Sequence, residues 1–164
     1  MTATERPILQ IVGYKNSGKT TLLCALVRKF RAEGFTVAAI KHDAHDFAFD
    51  RPGTDTWKMA EAGAGFVAIT SPHRTAWTSS RPASLDDLAG QAAHAELVLA
   101  EGFKDAPHPK LVLLRGEEDL PLLGLPNTAA AIVPDGWMPR AAVMPVFCRD
   151  DVDSIFSFVR TLLP

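Results

Sequence analysis

Eight residues near the start, Gly13-Tyr14-Lys15-Asn16-Ser17-Gly18-Lys19-Thr20, fit the pattern G-x-x-x-x-G-K-[ST] and limit what the rest of the chain can build. The pattern is a phosphate-binding loop (Walker A) only where it joins a strand to a helix. Both flanks meet that condition. Residues 7–12 are apolar and β-branched, as a buried strand requires, and residues 21–30 carry apolar side chains at helical spacing. Gly13 and Gly18 permit backbone conformations that a Cβ opposes, so successive amides turn inward at the positive end of the helix and form an anion-binding nest. In such a loop the Lys19 ammonium reaches the β- and γ-phosphates and the Thr20 hydroxyl takes one position on Mg²⁺. Asn16, Ser17 and Thr21 are their neighbours in the nucleotide-binding set.

Downstream, Glu33-Gly34 stops the first helix and residues 36–41 form a second apolar strand. Strand, helix and strand at this spacing make a βαβ unit, and hence a parallel sheet. Further strands are expected at 66–70, 75–78, 97–104, 110–115 and 129–133, with a charged loop, 116–119, after the fourth of these. A short edge strand is expected near 143–147, where Pro145 argues against a central place. Helices are expected from Thr54 or Asp55 to Gly63, from Ser84 to about His94, and after a cap at Asp151 or Asp153. With no repeat and no low-complexity linker, residues 1–164 read as one α/β domain. Its expected architecture is a three-layer P-loop NTPase fold with a mostly parallel central sheet.

Composition narrows the partners. A formal net charge of −2 with no block of like charge offers no support for nucleic acid or an anionic membrane. No apolar run approaches the ~18 residues of a membrane span, and the N-terminus lacks the build of a signal peptide. Cys24 and Cys148 are isolated, which suits a reducing cytoplasm. Cys24 falls in the first helix and reads as a small core residue.

Two segments beyond the loop carry chemistry. The strand from 97 ends in Glu101-Gly102, and a carboxylate at the end of a neighbouring strand helps hold Mg²⁺ in phosphate-loop proteins. The segment 41–53 is polar and closes on Pro52-Gly53. Ligands of open α/β sheets bind beyond the carboxyl ends of strands, which places this segment over the phosphate loop. His42 and His45, with Asp43, Asp46 and Asp50, have a metal-ligand reading. A polar loop that touches phosphate, Mg²⁺ or a second substrate is preferred, because no cysteine lies near and the spacing is not a zinc pattern. His73, His94 and His108 are scattered. Lys15 follows Tyr14 rather than Gly13, so it is not assigned the role of a lysine reaching across a dimer.

Taken together these motifs resemble the MobB family of molybdopterin-guanine dinucleotide biosynthesis adapters. The matching pieces are the loop 13–21, Lys41-His42 with His45-Asp46, Asp50-Arg51-Pro52-Gly53 with Asp55, Ala62-Gly63-Ala64, and Glu101-Gly102-Phe103-Lys104. The resemblance implies a GTP-binding protein, usually a homodimer and at most a weak GTPase. Such a protein assists the guanylyltransferase MobA in attaching GMP to molybdopterin, and molybdopterin is a further ligand that the resemblance suggests. It further implies that Gly13, Gly18, Lys19 and Thr20 bind phosphate and Mg²⁺, with Glu101 as the second Mg²⁺-side group. Lys41, His42, His45 and Asp46 would face the γ-phosphate or a partner substrate. No N-K-x-D guanine-reading element is present. Asp135, at the end of the 129–133 strand, is a candidate base contact, and GTP over ATP rests on the resemblance. Two other classes remain open: an ATP-dependent small-molecule kinase or ligase, and a metallochaperone GTPase using His42 and His45.

Overall fold

The structure is a computed structural model that describes residues 6–140 and 142–163. The N-terminal residues 1–5, part of the stretch read as lacking a signal peptide, lie outside the described residues. The chain divides into two compact units, Met1–His42 with Leu85–Pro164, and Asp43–Ser84.

The larger unit is built on a six-stranded sheet in the order β2-β5-β1-β6-β7-β8, every pair parallel. Its strands are β1 (Ile8–Gly13), β2 (Val37–Lys41), β5 (Leu97–Glu101), β6 (Lys110–Leu113), β7 (Thr128–Val133) and β8 (Val146–Cys148). Alternation along the strands feeds two cores, as a sheet covered on both faces requires. Leu9, Ile11, Leu97, Leu99, Leu111, Leu113 and Ile132 join one, with α1 (Lys19–Ala32) and α4 (Val152–Leu162). Val12, Val112, Leu114, Ala131 and Val133 join the other, with Leu122 of a 3-10 helix, Glu117–Gly124. The helix α3 (Leu85–Gln91) packs along β2. This is the α/β fold with a parallel central sheet that the loop and the βαβ spacing imply. Phe30 is fully buried at the centre of the first core, edge-on to Phe35 and Phe156 with centroids 5.5 and 4.8 Å away.

Helix ends follow the local chemistry. Gly34 at φ 92° stops α1, and Asp151 caps α4 by accepting from Ser154 N at 3.1 Å. The edge place of β8 suits Pro145, whose carbonyl accepts from Ala131 N at 3.0 Å.

Two expectations change. Cys24 is exposed rather than a core residue. At about 100° per residue, it lies across the helix from the buried Leu22, Leu26 and Phe30. The charged stretch 116–119, expected as a loop, opens the 3-10 helix, and Asp119 is fully buried there.

The smaller unit holds the segment from Asp43, α2 (Asp55–Glu61) capped by Thr54, and an antiparallel ribbon of β3 (Phe66–Thr70) and β4 (Thr75–Ser79). Phe66, Ile69 and Trp77 stay 60%, 60% and 40% exposed, with Phe66 stacked on Trp77.

Candidate functional site

Register decides what meets at the sheet edge. In the parallel ladders Glu101 stands opposite Ile11 on one side and Lys41 on the other, while Gly13 stands opposite Leu113. The loop 13–18 therefore emerges beside the segments that follow β5 and β6, at the carboxyl edge where ligands of such sheets bind.

The loop's glycines serve two different needs. A Cβ on Gly13 would lie 2.6 Å from Ser17 Oγ and 2.8 Å from the Leu113 carbonyl, so space excludes a side chain there. Gly18 excludes one through backbone, since it sits at φ 95° as the N-cap of α1. Asn16 also takes the left-handed conformation, at φ 63°, which asparagine tolerates better than most residues. No side chain caps the first turn of α1, which leaves its amides for an anion. Ser17 is fully buried and its Oγ has no hydrogen-bond partner among the described residues.

Three functional groups converge. Lys19 Nζ donates to the Tyr14 carbonyl at 2.8 Å, closing the loop on itself. Thr20 Oγ1 donates to Glu101 Oε2 at 2.7 Å, and Lys41 Nζ lies 3.9 Å from Glu101 Oε1. Glu101 is buried. A hydroxyl beside a buried carboxylate is a hard-oxygen pair of the kind Mg²⁺ takes, so these two residues fit the metal they were expected to hold. Thr21 is exposed in the first turn of α1. His42 follows, its amide donating to the Glu101 carbonyl at 2.9 Å and its ring 4.9 Å from that of Phe103.

Comparison with known proteins decides the family. A match to MobB, described as Molybdopterin guanine dinucleotide synthesis protein B, runs over residues 8–135. The chain belongs to the MobB family. A molybdopterin-guanine dinucleotide biosynthesis adapter protein of Haemophilus influenzae is 43% identical over 71% of this chain and 67% of its own length. A probable adapter of the same description from Bacillus subtilis is 34% identical over 92% of each chain. The crystal structure of Bacillus subtilis MobB superposes with a TM-score of 0.83 at 32% identity, over 96% of this chain and 98% of that one. The loop thus lies within the stretch that matches this molybdopterin-guanine dinucleotide biosynthesis family.

Electrostatics mark the same place in this MobB chain. Burial lowers the pKa of Lys19, Glu101 opposes that shift, and the nearby charges of Lys104, Lys41 and Arg115 reinforce it. Several cations thus face one loop. Tyr14 links two of them, with Lys104 Nζ 4.3 Å and the Arg115 guanidinium 5.4 Å from its ring centroid.

Other residues named from sequence are distributed differently. His45 and Asp46 are exposed and belong to the smaller unit, where the His45 amide donates to Asp43 Oδ1 at 3.2 Å. Among the described residues no three His, Cys, Asp or Glu side chains are grouped to hold a metal. Asp135 lies exposed at the end of β7, with Cys148 Sγ 4.0 Å from its Oδ1. No helix among the described residues is long and apolar enough to cross a membrane.

Four supporting residues escaped the sequence reading. Arg149, just past β8, donates Nη1 to the Ser17 carbonyl at 2.8 Å. Arg115, just past β6, approaches the Lys15 carbonyl at 3.5 Å while Asp119 grips it at 2.8 Å through both Nε and Nη2. Gln10 and Lys110 are fully buried and tie down the segment after β5. Polar residues at strand positions are the one signal available for these last two.

Proposed function

We propose that the chain binds GTP with Mg²⁺ on the loop 13–20 and acts as an accessory protein in molybdenum cofactor biosynthesis. It assists a MobA-like guanylyltransferase in attaching GMP to molybdopterin. The observation that carries the nucleotide reading is the meeting of Lys19, Thr20 and Glu101 at one sheet edge, below helix amides that no side chain caps. Membership of the MobB family supports the pathway.

In this reading the loop amides from Gly13 through Gly18 cradle the phosphates, with Asn16 and Ser17 setting the turn and Thr21 next to them. Lys19 exchanges the Tyr14 carbonyl for phosphate oxygens. Thr20 and Glu101 hold Mg²⁺, which supplies charge neutralisation on the phosphates when bound. Lys41, His42, His45 and Asp46 face the γ-phosphate or a partner substrate, and Asp135 contacts the base. Hydrolysis is weak at most. The whole chain serves as one nucleotide-binding domain with residues 43–84 as an excursion from it. The adapter works in the cytoplasm as a homodimer and binds neither membrane nor nucleic acid. The exposed apolar ribbon β3–β4 supports the dimer, because a two-stranded sheet is marginal alone and a second copy would cover Phe66, Ile69 and Trp77.

Calorimetric titration with GTP and, separately, ATP in the presence of Mg²⁺ tests the reading. A preference for GTP that Lys19→Ala abolishes supports it, and stimulation of guanylyl transfer by the partner completes it. Unaltered GTP affinity in Lys19→Ala would sink the site, while preference for ATP would point to a kinase or ligase.

A further inference from the structure

The segment after β5 is strained, and the strain is held from several sides. Gly102 and Phe103 are consecutive left-handed residues at φ 90° and 54°. For phenylalanine that conformation is strained and persists only where the surroundings over-determine it. The fully buried Gln10 does so: Nε2 donates to the Gly102 carbonyl at 3.1 Å and to the Phe103 carbonyl, and Oε1 accepts from His108 N at 3.2 Å. The Phe103 ring rests on His42, and the buried Lys110 ammonium donates to the carbonyls of Ala106, His108 and Pro126.

What this turn delivers is Lys104. Three residues beyond the carboxylate that faces Thr20, it places Nζ 4.3 Å from the centroid of the Tyr14 ring. The carbonyl of that same Tyr14 accepts from Lys19. The neighbouring cations are committed elsewhere: Arg115 to Asp119, and Lys41 beside Glu101. Lys104 forms no ion pair among the described residues. Its field reaches Asp119, which Arg115 already holds. A partly exposed aromatic face holds an ammonium weakly, whereas charge-assisted hydrogen bonds from ammonium to phosphate are among the strong ones. A phosphate within reach therefore wins the lysine from the ring.

We propose that Lys104 is a ligand of the terminal phosphate. Its ammonium leaves the Tyr14 ring for the γ-phosphate of the nucleoside triphosphate on the loop, so that the chain distinguishes triphosphate from diphosphate. The inference rests on the nucleotide reading above. The loop amides serve the β-phosphate, Lys19 bridges the β- and γ-phosphates, and the Thr20–Glu101 pair addresses Mg²⁺, so a second cation is left to the outer oxygens of the γ-phosphate. Lys104 issues from the same strand end as Glu101 and lies over Tyr14, the second residue of the loop. Like charges gathered around Lys19 make a polyanion with one further phosphate the better guest.

The test is calorimetric titration of the full chain with GTP and with GDP, both with Mg²⁺, for wild type, Lys104→Gln, Lys104→Arg and Lys19→Ala. Glutamine removes the charge and keeps a polar head on a shorter stem, and an unchanged melting temperature verifies the fold. The expected result for Lys104→Gln is GTP affinity down about tenfold or more, with GDP affinity within about twofold of wild type. Lys104→Arg recovers most of the difference. Equal weakening of GTP and GDP, or no weakening of either, overturns the proposal. Should Lys19→Ala bind both nucleotides as wild type does, or wild type bind neither, the nucleotide reading falls and this inference with it. Loss of both nucleotides in Lys19→Ala beside an unchanged ratio in Lys104→Gln removes Lys104 alone.

Discussion

Replacing Asp119 with asparagine takes the charge from the group that fixes Arg115. Asp119 is fully buried and accepts three hydrogen bonds from Arg115: from the backbone N at 2.9 Å, and from Nε and Nη2 at 2.8 Å each. At about 1.5–3 kcal/mol for each bond to a charged group, the sum is about 4.5–9 kcal/mol. The true loss is smaller for two reasons. The Arg115 side chain is 39% exposed, so water screens the pair, and asparagine retains one oxygen to accept from the backbone N. A loss of about 2–3 kcal/mol remains, equivalent to a melting temperature about 5–10 °C lower in a chain of this size. The pH dependence has a definite sign. The hydrogen bonds from Arg115 hold the Asp119 carboxyl below its ordinary value of 3.8, so the unfolded chain binds the more protons in that window. The contribution is complete above about pH 4 and is lost as pH falls through the folded value. Urea unfolding followed by tryptophan fluorescence, at pH 7 and in steps down to pH 3, measures both quantities. A variant within about 0.5 kcal/mol of wild type at pH 7, or a gap that stays constant down to pH 3, would refute the reasoning.

Arg149→Met removes the donor to the Ser17 carbonyl, and GTP affinity measured by calorimetry is expected to fall about tenfold with little change in melting temperature. Lys110→Met strips the carbonyls of Ala106, His108 and Pro126 of their shared donor. Chemical denaturation should record a loss of about 3 kcal/mol or more, and a smaller loss would mean water replaces the ammonium. Trp77→Ser on the β3–β4 ribbon is expected to shift the chain toward monomer in light scattering, since it removes the stacked partner of Phe66. An unchanged dimer would place the contact elsewhere.

What could be read in advance, and what could not, separates by the range of the interaction. The strand, loop and helix around Gly13–Thr20 are local, so periodicity and one motif reveal them, and Glu101 follows from its place at a strand end. Cys24 was open to the same arithmetic, because a rotation of about 100° per residue puts it away from Leu22 and Leu26. Gln10 and Lys110 are another matter. Each breaks an apolar alternation, which marks it as unusual, but their partners are backbone carbonyls and amides up to 98 residues away that any sequence would supply. Arg115 and Arg149 look like ordinary charges after strands. Only the parallel register brings them to the loop, 100 and 132 residues from the carbonyls they approach. In the proposed reading the motif specifies which groups meet a phosphate, while its stiffness comes from residues that carry no motif. Affinity depends on both, because a nest whose amides must be ordered at binding loses to ordering what its contacts gain. It follows that variants at Arg149 and Gln10 should weaken nucleotide binding without touching any residue of the motif.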